Sequence, residues 1–168
     1  SAISIDPAHL DAIAEVDPRF QAFNIEMLEI TGGRFWKPYK DLQRQSTANS
    51  KSGGAGSDPT ESLYQYRPPI DLSNARLRKL TAALGPTYVR ISGTWANSTY
   101  FYDSDEPAPT KAPDGFQGVL TRKEWKAVID FTHAVDAEII TSFATSPGTR
   151  NAEGVWTSDQ ARRLLTYT

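Results

Sequence analysis

The sequence predicts an α/β fold built from three strand–loop–helix units. Short apolar strands are predicted at residues 20–26, 88–91 and 138–143, and each is followed, after a loop, by a helical pattern. The first helix and the second strand are separated only by Gly85-Pro86. Strands that alternate with helices pair in parallel through right-handed crossovers. We therefore expect a parallel sheet with helices packed against it.

The lengths of the connections favour a (β/α)8 TIM barrel over a doubly wound sheet. The two long loops, residues 27–72 and 92–119, both follow strands, and in a barrel the loops after the strands build the active site. A complete barrel needs about 250 residues, whereas this sequence has 168. We expect residues 17–168 to form the first three β/α units of a barrel, with the outer edges of strands 1 and 3 open. A missing or second chain would then complete the sheet.

The helix boundaries are predicted from capping and breaking residues. Ser73 is the expected N-cap of the first helix, which Gly85-Pro86 ends. Thr121–Glu124 and Thr157–Gln160 have the spacing of capping boxes, so they predict the starts of the second and third helices. The residues expected to share one face of the first helix are Leu77, Leu80 and Leu84.

The composition excludes several classes of function. The sequence has no cysteine, which excludes disulfides, thiolate metal sites and cysteine nucleophiles. Its net charge of −2 gives no field that would attract nucleic acid or an anionic membrane. His9 and His133 lie far apart without a second ligand at metal spacing, and Met27–Thr31 replaces the glycine-rich turn of a nucleotide site. We expect no metal, cofactor, nucleic acid or membrane partner.

Two sequence blocks resemble the heparanase and β-glucuronidase family of glycoside hydrolases. The first, Asp17-Pro-Arg-Phe-Gln-Ala-Phe-Asn-Ile-Glu26, matches a first strand that ends in an acidic residue. The second, Leu77-Arg-Lys-Leu-Thr-Ala-Ala-Leu-Gly-Pro-Thr-Tyr-Val-Arg-Ile-Ser-Gly-Thr94, contains the pattern L-x-P-x-Y-x-R-x-G-G-T, with Ser92 in place of the first glycine. The resemblance covers roughly residues 17–168, is most specific at Tyr88–Thr94, and is to the N-terminal part of bacterial-type heparanases.

The resemblance implies a retaining endo-β-glucuronidase that acts on heparan sulfate or a related glucuronide. Its fold would be a (β/α)8 barrel with an appended β-sandwich, to which a strand at residues 2–5 of the N-terminal segment 1–16 would contribute. The family carries its acid/base as the glutamate of an Asn-Glu pair after the fourth strand, and this sequence has no such pair. Both catalytic glutamates are therefore expected outside it, in the C-terminal remainder of the enzyme as a second chain. The enzyme would be secreted or periplasmic.

The same resemblance assigns substrate binding to four residues. Glu26 would accept a hydrogen bond from a sugar hydroxyl, or would be a salt-bridged carboxylate at the barrel rim. Gly93 and Thr94 match the glucuronate subsite, where backbone N–H groups can bind a carboxylate; alternatively, Gly93 serves a tight turn. Asn97 could reach a sugar hydroxyl, or serve as the glycosylation sequon Asn97-Ser-Thr99.

Other residues have weaker claims to a binding role. Aromatic residues could stack on sugar rings or pack within their loops; they are Trp36, Tyr39 and Trp95. Basic residues of the first loop could contact sulfate or remain solvated; they are Lys37, Lys40, Arg44 and Lys51. Arg90 is expected to be structural, and Asp103–Glu106 to be a solvated loop. An exo-β-glucuronidase, a non-catalytic carbohydrate-binding fragment and a doubly wound small-ligand domain stay open as alternatives.

Overall fold

The computed structural model describes Ile3 and residues 5–42 and 63–168. Within these residues the strands are β1 (Ala22–Glu26), β2 (Gly33–Trp36), β3 (Tyr64–Arg67), β4 (Thr87–Ser92), β5 (Thr99–Tyr102), β6 (Gly118–Thr121) and β7 (Ala137–Thr141). The α-helices are α1 (Met27–Thr31), α2 (Ala75–Ala82), α3 (Arg122–Ala134) and α4 (Asp159–Tyr167), and residues 39–42 are also helical. Short 3-10 helices cover Pro7–His9, Thr94–Ser98 and Pro147–Thr149.

A three-stranded parallel sheet in the order β1-β4-β7 forms the centre of the molecule. Its register places Val89 opposite Phe23 on one side and opposite Ile139 on the other. The predicted α/β arrangement with parallel strands is therefore confirmed. This order is shared by the first three units of a barrel and by one half of a doubly wound sheet. It therefore fits both folds, and the barrel is part of the proposed function.

The hydrophobic core lies between one face of this sheet and the helices. Val89 and Ile91 of β4 are fully buried, as are Trp125 and Val128 of α3. Alternate residues of a strand point to opposite faces, so the two β4 residues share the helix-covered side. Full burial of such a side chain contributes about 1.5–3 kcal/mol. The core therefore fixes α3 against the centre of the sheet.

The opposite face of the sheet is open within the described residues. Asn24, Arg90 and Ile140 lie side by side in the register across this face, and all three are exposed. Within residues 5–42 and 63–168, β1 and β7 each pair with a strand on one side only. The expected open edges of the first and third strands are thus observed in this part of the chain.

The two long loops contain more regular structure than the sequence predicts. After β1, residues predicted as a loop form α1 and the antiparallel pair β2–β3. After β4, the strands β5 and β6 pair in parallel, with Thr99 opposite Gly118. These predictions were wrong because each element has only four or five residues, too few for a periodic pattern. Arg44 and the Gly/Ser-rich run with Lys51 lie outside the described residues.

The helix starts also differ in detail from the prediction. Asn74, not Ser73, caps α2, because its side chain accepts the backbone N–H of Leu77 at 3.0 Å. Of the predicted leucine face only Leu77 contacts the core. Its other two members, Leu80 and Leu84, are exposed.

The predicted capping box at the start of α4 is replaced by another arrangement. Ser158 is the N-cap and makes no side-chain cap bond. The amide oxygen of Gln160 instead accepts the backbone N–H of Phe101 at 2.7 Å, which joins α4 to β5. The box at Thr121 is confirmed, since Thr121 Oγ1 and Glu124 Oε2 each accept the other residue's backbone N–H.

The N-terminal segment does not show the predicted strand in its described residues. Ile3 and Ile5 are exposed and lie outside any strand, and the segment's 3-10 helix begins at Pro7. A contribution to a β-sandwich therefore stays a prediction. No helix within the described ranges is long and apolar enough to cross a membrane.

Candidate functional site

Glu26 lies at the carboxyl end of β1, on the open side of the sheet. It pairs in register with Ser92 at the end of β4, so the two strands end at the same edge. Glu26 is also the N-cap residue of α1, and its backbone N–H donates to Glu29 Oε2 at 2.9 Å. Glu29 thus binds the backbone of Glu26, while the side chain of Glu26 is exposed. The carboxylate is therefore held at the loop face of the sheet.

Gly93 and Glu26 are in direct contact at this edge. Gly93 has a φ of +96°, a conformation that side chains disfavour. A Cβ built on Gly93 would overlap Oε2 of Glu26 and would lie 2.6 Å from its Cδ. The absent side chain lets the carboxylate lie against the backbone of the turn. The structure brings together two residues to which the resemblance assigns separate binding roles, and the turn conformation and the close approach both require glycine.

Thr94 begins the 3-10 helix that follows this turn. Its side chain is exposed next to Gly93, and the carbonyl of Gly93 accepts the backbone N–H of Ala96 at 3.1 Å. Thr99 Oγ1 donates to the carbonyl of Trp95 at 2.8 Å and closes the end of the helix. The exposed hydroxyl of Thr94 is therefore carried on a short, internally bonded turn.

Asn97 joins the loops that follow β4 and β7. Its carbonyl oxygen accepts the backbone N–H groups of Thr145 and Ser146, both at 2.9 Å. Its side chain is exposed. The sequence suggested a side-chain role for Asn97, but it gives no indication of this backbone role, because a carbonyl group carries no residue-specific signal.

A second contact holds the same two loops together. The carbonyl of Gly115 accepts the backbone N–H of Gly148 at 3.3 Å, and the ring of Phe116 lies against Gly148. That ring also meets Tyr100, with centroids 5.2 Å apart. The loops after β4 and β7 therefore form one continuous wall along the edge where Glu26 and Gly93 lie.

Acidic residues that contact the start and the middle of α3 are engaged in ion pairs. Arg122 binds Asp103 at 2.8 Å and Asp105 at 2.9 Å, so the predicted solvated loop is instead tied to the start of α3. The hydrogen bond with Asp103 raises the pKa of Arg122 above its ordinary value. Asp130 pairs with Lys126 at 2.6 Å. Among the described residues no cluster of His, Asp or Glu could hold a metal ion.

The predicted aromatic residues are exposed rather than buried in the core. Trp95 is 43% exposed and adjoins Thr94 in the chain. Trp36 lies on the β2–β3 hairpin, where its ring contacts Tyr64. Among the basic residues of the first loop, Lys37 is half-buried and Lys40 is exposed.

One exposed aromatic residue near the loop wall was not predicted from the sequence to have a role. The indole N–H of Trp156 donates to the carbonyl of Ala144 at 2.9 Å, just after β7. Its ring, with Phe143 and Leu165, lines an open cavity of about 530 Å³ beside α4. Nothing in its local sequence distinguishes it from a packing residue.

A scan against known protein families finds no match, and a search of curated proteins finds no relative.

Proposed function

We propose that this chain is the substrate-binding part of a retaining glycoside hydrolase that cleaves β-glucuronide linkages within heparan sulfate-like polysaccharide. It would contribute the first three units of a (β/α)8 barrel to a secreted or periplasmic enzyme. The C-terminal remainder of the enzyme, as a second chain, would supply the other strands and both catalytic glutamates. The proposal rests on the resemblance at Tyr88–Thr94 and on one structural observation.

The observation is the contact of Glu26 with the Gly93 turn at the carboxyl ends of β1 and β4. In barrel enzymes this end of the strands carries the active site. A carboxylate accepts hydrogen bonds from neighbouring sugar hydroxyls, and charged acceptors form the stronger bonds. The missing side chain of Gly93 lets the carboxylate of Glu26 lie directly beside the backbone of the turn, so that both can face one ligand. This arrangement suits a polar sugar better than an apolar ligand.

Each of the four site residues has a separate role in the proposal. Glu26 fixes the orientation of a glucuronate ring through one of its hydroxyls. The backbone beyond Gly93 and the hydroxyl of Thr94 receive the carboxylate of that ring. Asn97 holds the loop wall by its carbonyl and offers its exposed amide to a second hydroxyl. Together they would present the glycosidic bond to the two catalytic carboxyl groups.

The catalytic step itself needs groups that we place outside this sequence. Retaining glycosidases hold two carboxyl groups about 5–5.5 Å apart, one as nucleophile and one as acid/base. The open face and open outer edges of the sheet offer room for the strands that would carry them. This chain alone should therefore bind a glucuronide without cleaving it.

Hydrolysis by the complete protein tests the proposal. We expect cleavage of heparan sulfate, with Glu26→Gln lowering kcat/KM roughly 10- to 100-fold because a hydrogen bond to a charged acceptor contributes about 1.5–3 kcal/mol. The matched control is Glu15→Gln, a change in an exposed glutamate of the segment that precedes β1. Equal loss in both variants, or no loss in either, would contradict the role of Glu26.

The pattern of substrates separates the alternatives. Cleavage of an aryl β-glucuronide without cleavage of the polymer would indicate an exo-acting enzyme. Binding of the oligosaccharide with no cleavage by the complete protein would indicate a non-catalytic carbohydrate-binding protein instead.

A further inference from the structure

The β2–β3 hairpin displays an exposed aromatic face. In its antiparallel register Trp36 lies opposite Tyr64, and Arg34 lies opposite Tyr66. Because alternate residues of a strand share a face, these four side chains lie on the same side of the hairpin. Trp36 is 61% exposed and Tyr66 is 68% exposed. The hairpin therefore presents adjacent aromatic rings to solvent.

The rings on this face are ordered by contact with one another. The centroids of Trp36 and Tyr64 are 4.7 Å apart, with the planes inclined by 39°. On the opposite face Phe35 is half-buried, and the guanidinium of Arg67 lies 5.5 Å from its ring centroid. On one face of the hairpin, Phe35 thus packs against Arg67. On the other face, the rings of Trp36 and Tyr66 are exposed. Adjacent exposed rings form a contiguous apolar patch, and such patches are candidate binding surfaces.

The hairpin is anchored next to the candidate site. Only α1 and Gly32 separate Glu26 from β2, and a helix of five residues spans about 7.5 Å. The carbonyl of Glu29 in α1 accepts the backbone N–H of Ile70, just beyond β3, at 2.8 Å. A Cβ on Gly32 would lie 2.8 Å from Cδ of Pro69, so α1 and the end of the hairpin are in close contact. The aromatic face is therefore attached to the element that Glu26 caps.

We propose that this face is an additional sugar-binding subsite for an anionic polysaccharide, outside the glucuronate position at Glu26 and Gly93. The class of ligand rests on the proposed function. A pyranose ring has an apolar face of C–H groups, which matches the negative face of an indole or phenol ring. The subsite would make binding depend on the length of the oligosaccharide.

Titration calorimetry with two oligosaccharides of heparan sulfate tests the subsite. A disaccharide reaches only one position, whereas a hexasaccharide extends beyond it. We expect Trp36→Ala to weaken hexasaccharide binding by the protein about tenfold, equivalent to about 1.4 kcal/mol, and to leave disaccharide binding unchanged. Tyr66→Ala should act in the same direction and keeps the contact between Trp36 and Tyr64. The matched control is Phe20→Ala, which removes an aromatic ring that is 69% exposed and lies before β1, at the other end of the sheet.

The outcomes distinguish this inference from the proposed function. Unchanged hexasaccharide affinity in Trp36→Ala and Tyr66→Ala, with binding lost in Glu26→Gln, would overturn the subsite and leave the proposed site in place. Loss of hexasaccharide binding in the hairpin variants, with Glu26→Gln unaffected, would support the subsite and contradict the role of Glu26. Equal loss in Phe20→Ala, or equal wild-type affinity for both oligosaccharides, would also overturn the subsite.

Discussion

Arg19 binds Asp136 through two separate hydrogen bonds at the amino ends of the strands. Its Nη1 donates to the carbonyl oxygen of Asp136 at 2.6 Å, and its Nη2 donates to the carboxylate at 2.7 Å. The bond to the carboxylate raises the pKa of Arg19 above its ordinary value. Asp136 lies in the turn between α3 and β7, whereas Arg19 precedes β1. The two residues thus connect distant parts of the chain at the edge opposite the candidate site.

The turn at Asp136 predicts different effects for two substitutions. Its φ of +53° is costly for most residues and tolerated by Asp and Asn. Asp136→Asn removes the charge pair with Arg19, so we expect its melting temperature to be lower than that of the wild type. Asparagine tolerates the backbone conformation, so this variant carries no added backbone cost. Asp136→Ala should destabilise by about 1–2 kcal/mol more than Asp136→Asn because it adds the left-handed backbone cost. Urea denaturation measures both, and equal stability of the two variants would contradict this reading of the turn.

Gly93→Ala should lower the free energy of unfolding more than a substitution at an unobstructed glycine. The substitution places a side chain at a φ of +96° and against Glu26, so we expect a loss of about 1–3 kcal/mol in the free energy of unfolding. Gly85→Ala is the matched control: its φ is +83°, and among the described residues no heavy atom lies within 4 Å of the added Cβ. Gly93→Ala should therefore cost more than Gly85→Ala, as measured by urea denaturation.

The excess cost at Gly93 should depend on Glu26. In a Glu26→Ala background the carboxylate no longer opposes the added methyl group, so Gly93→Ala should cost less there. An unchanged cost in the double variant would show that the contact between the two residues is relaxed in solution.

Thr121→Ala should weaken the start of α3. The hydroxyl of Thr121 accepts the backbone N–H of Glu124 at 3.2 Å, and loss of such a cap costs about 1 kcal/mol. Ser158→Ala is the control, since Ser158 occupies the same position in α4 without a side-chain cap bond. It should leave the melting temperature nearly unchanged. A larger effect of Ser158→Ala than of Thr121→Ala would contradict the assigned caps.

The stability of the protein should fall in acid partly through Asp71. Hydrogen bonds from the hydroxyl of Ser73 at 2.5 Å and from its N–H at 2.9 Å lower the pKa of Asp71 below its ordinary 3.8. A carboxyl group whose pKa is lower in the folded state stabilises the protein above its unfolded pKa. That contribution is lost as the pH falls below 3.8 through the folded pKa. Melting temperatures recorded from about pH 5 to about pH 2 should therefore fall less steeply for Asp71→Asn than for the wild type. Ser73→Ala should have the same effect, and parallel curves for all three proteins would contradict it.

The elements predicted most closely are those marked by residues that are near one another in the sequence, such as an apolar run or a capping box. The β-branched run at residues 88–91 is extended by one residue at each end in β4. The capping box at Thr121 identifies the first turn of α3 because both its partners are side chains visible in the sequence. The position of Glu26 beside Gly93 could also be predicted, since the ends of neighbouring parallel strands meet at one edge.

Other features depend on partners that are distant in the chain. Strand β5 pairs with β6 across a long connection, and neither strand has enough residues to show alternation. Gln160 completes a capping-box pattern in sequence, yet in the fold its amide binds Phe101 instead. Tertiary contacts decide these cases, and local sequence does not specify them.

The contact between Glu26 and Gly93 has a consequence for how this protein can vary. Position 93 can accept a side chain only where position 26 gives up its long acid, and the backbone turn must then change as well. The two positions should accordingly co-vary: homologues with Glu at the first would keep Gly at the second, while homologues with a shorter residue at the first would be freer. Because a side chain added first at position 93 would clash with Glu26, the change at position 26 must come first, and position 93 should therefore vary more slowly than the surrounding loops.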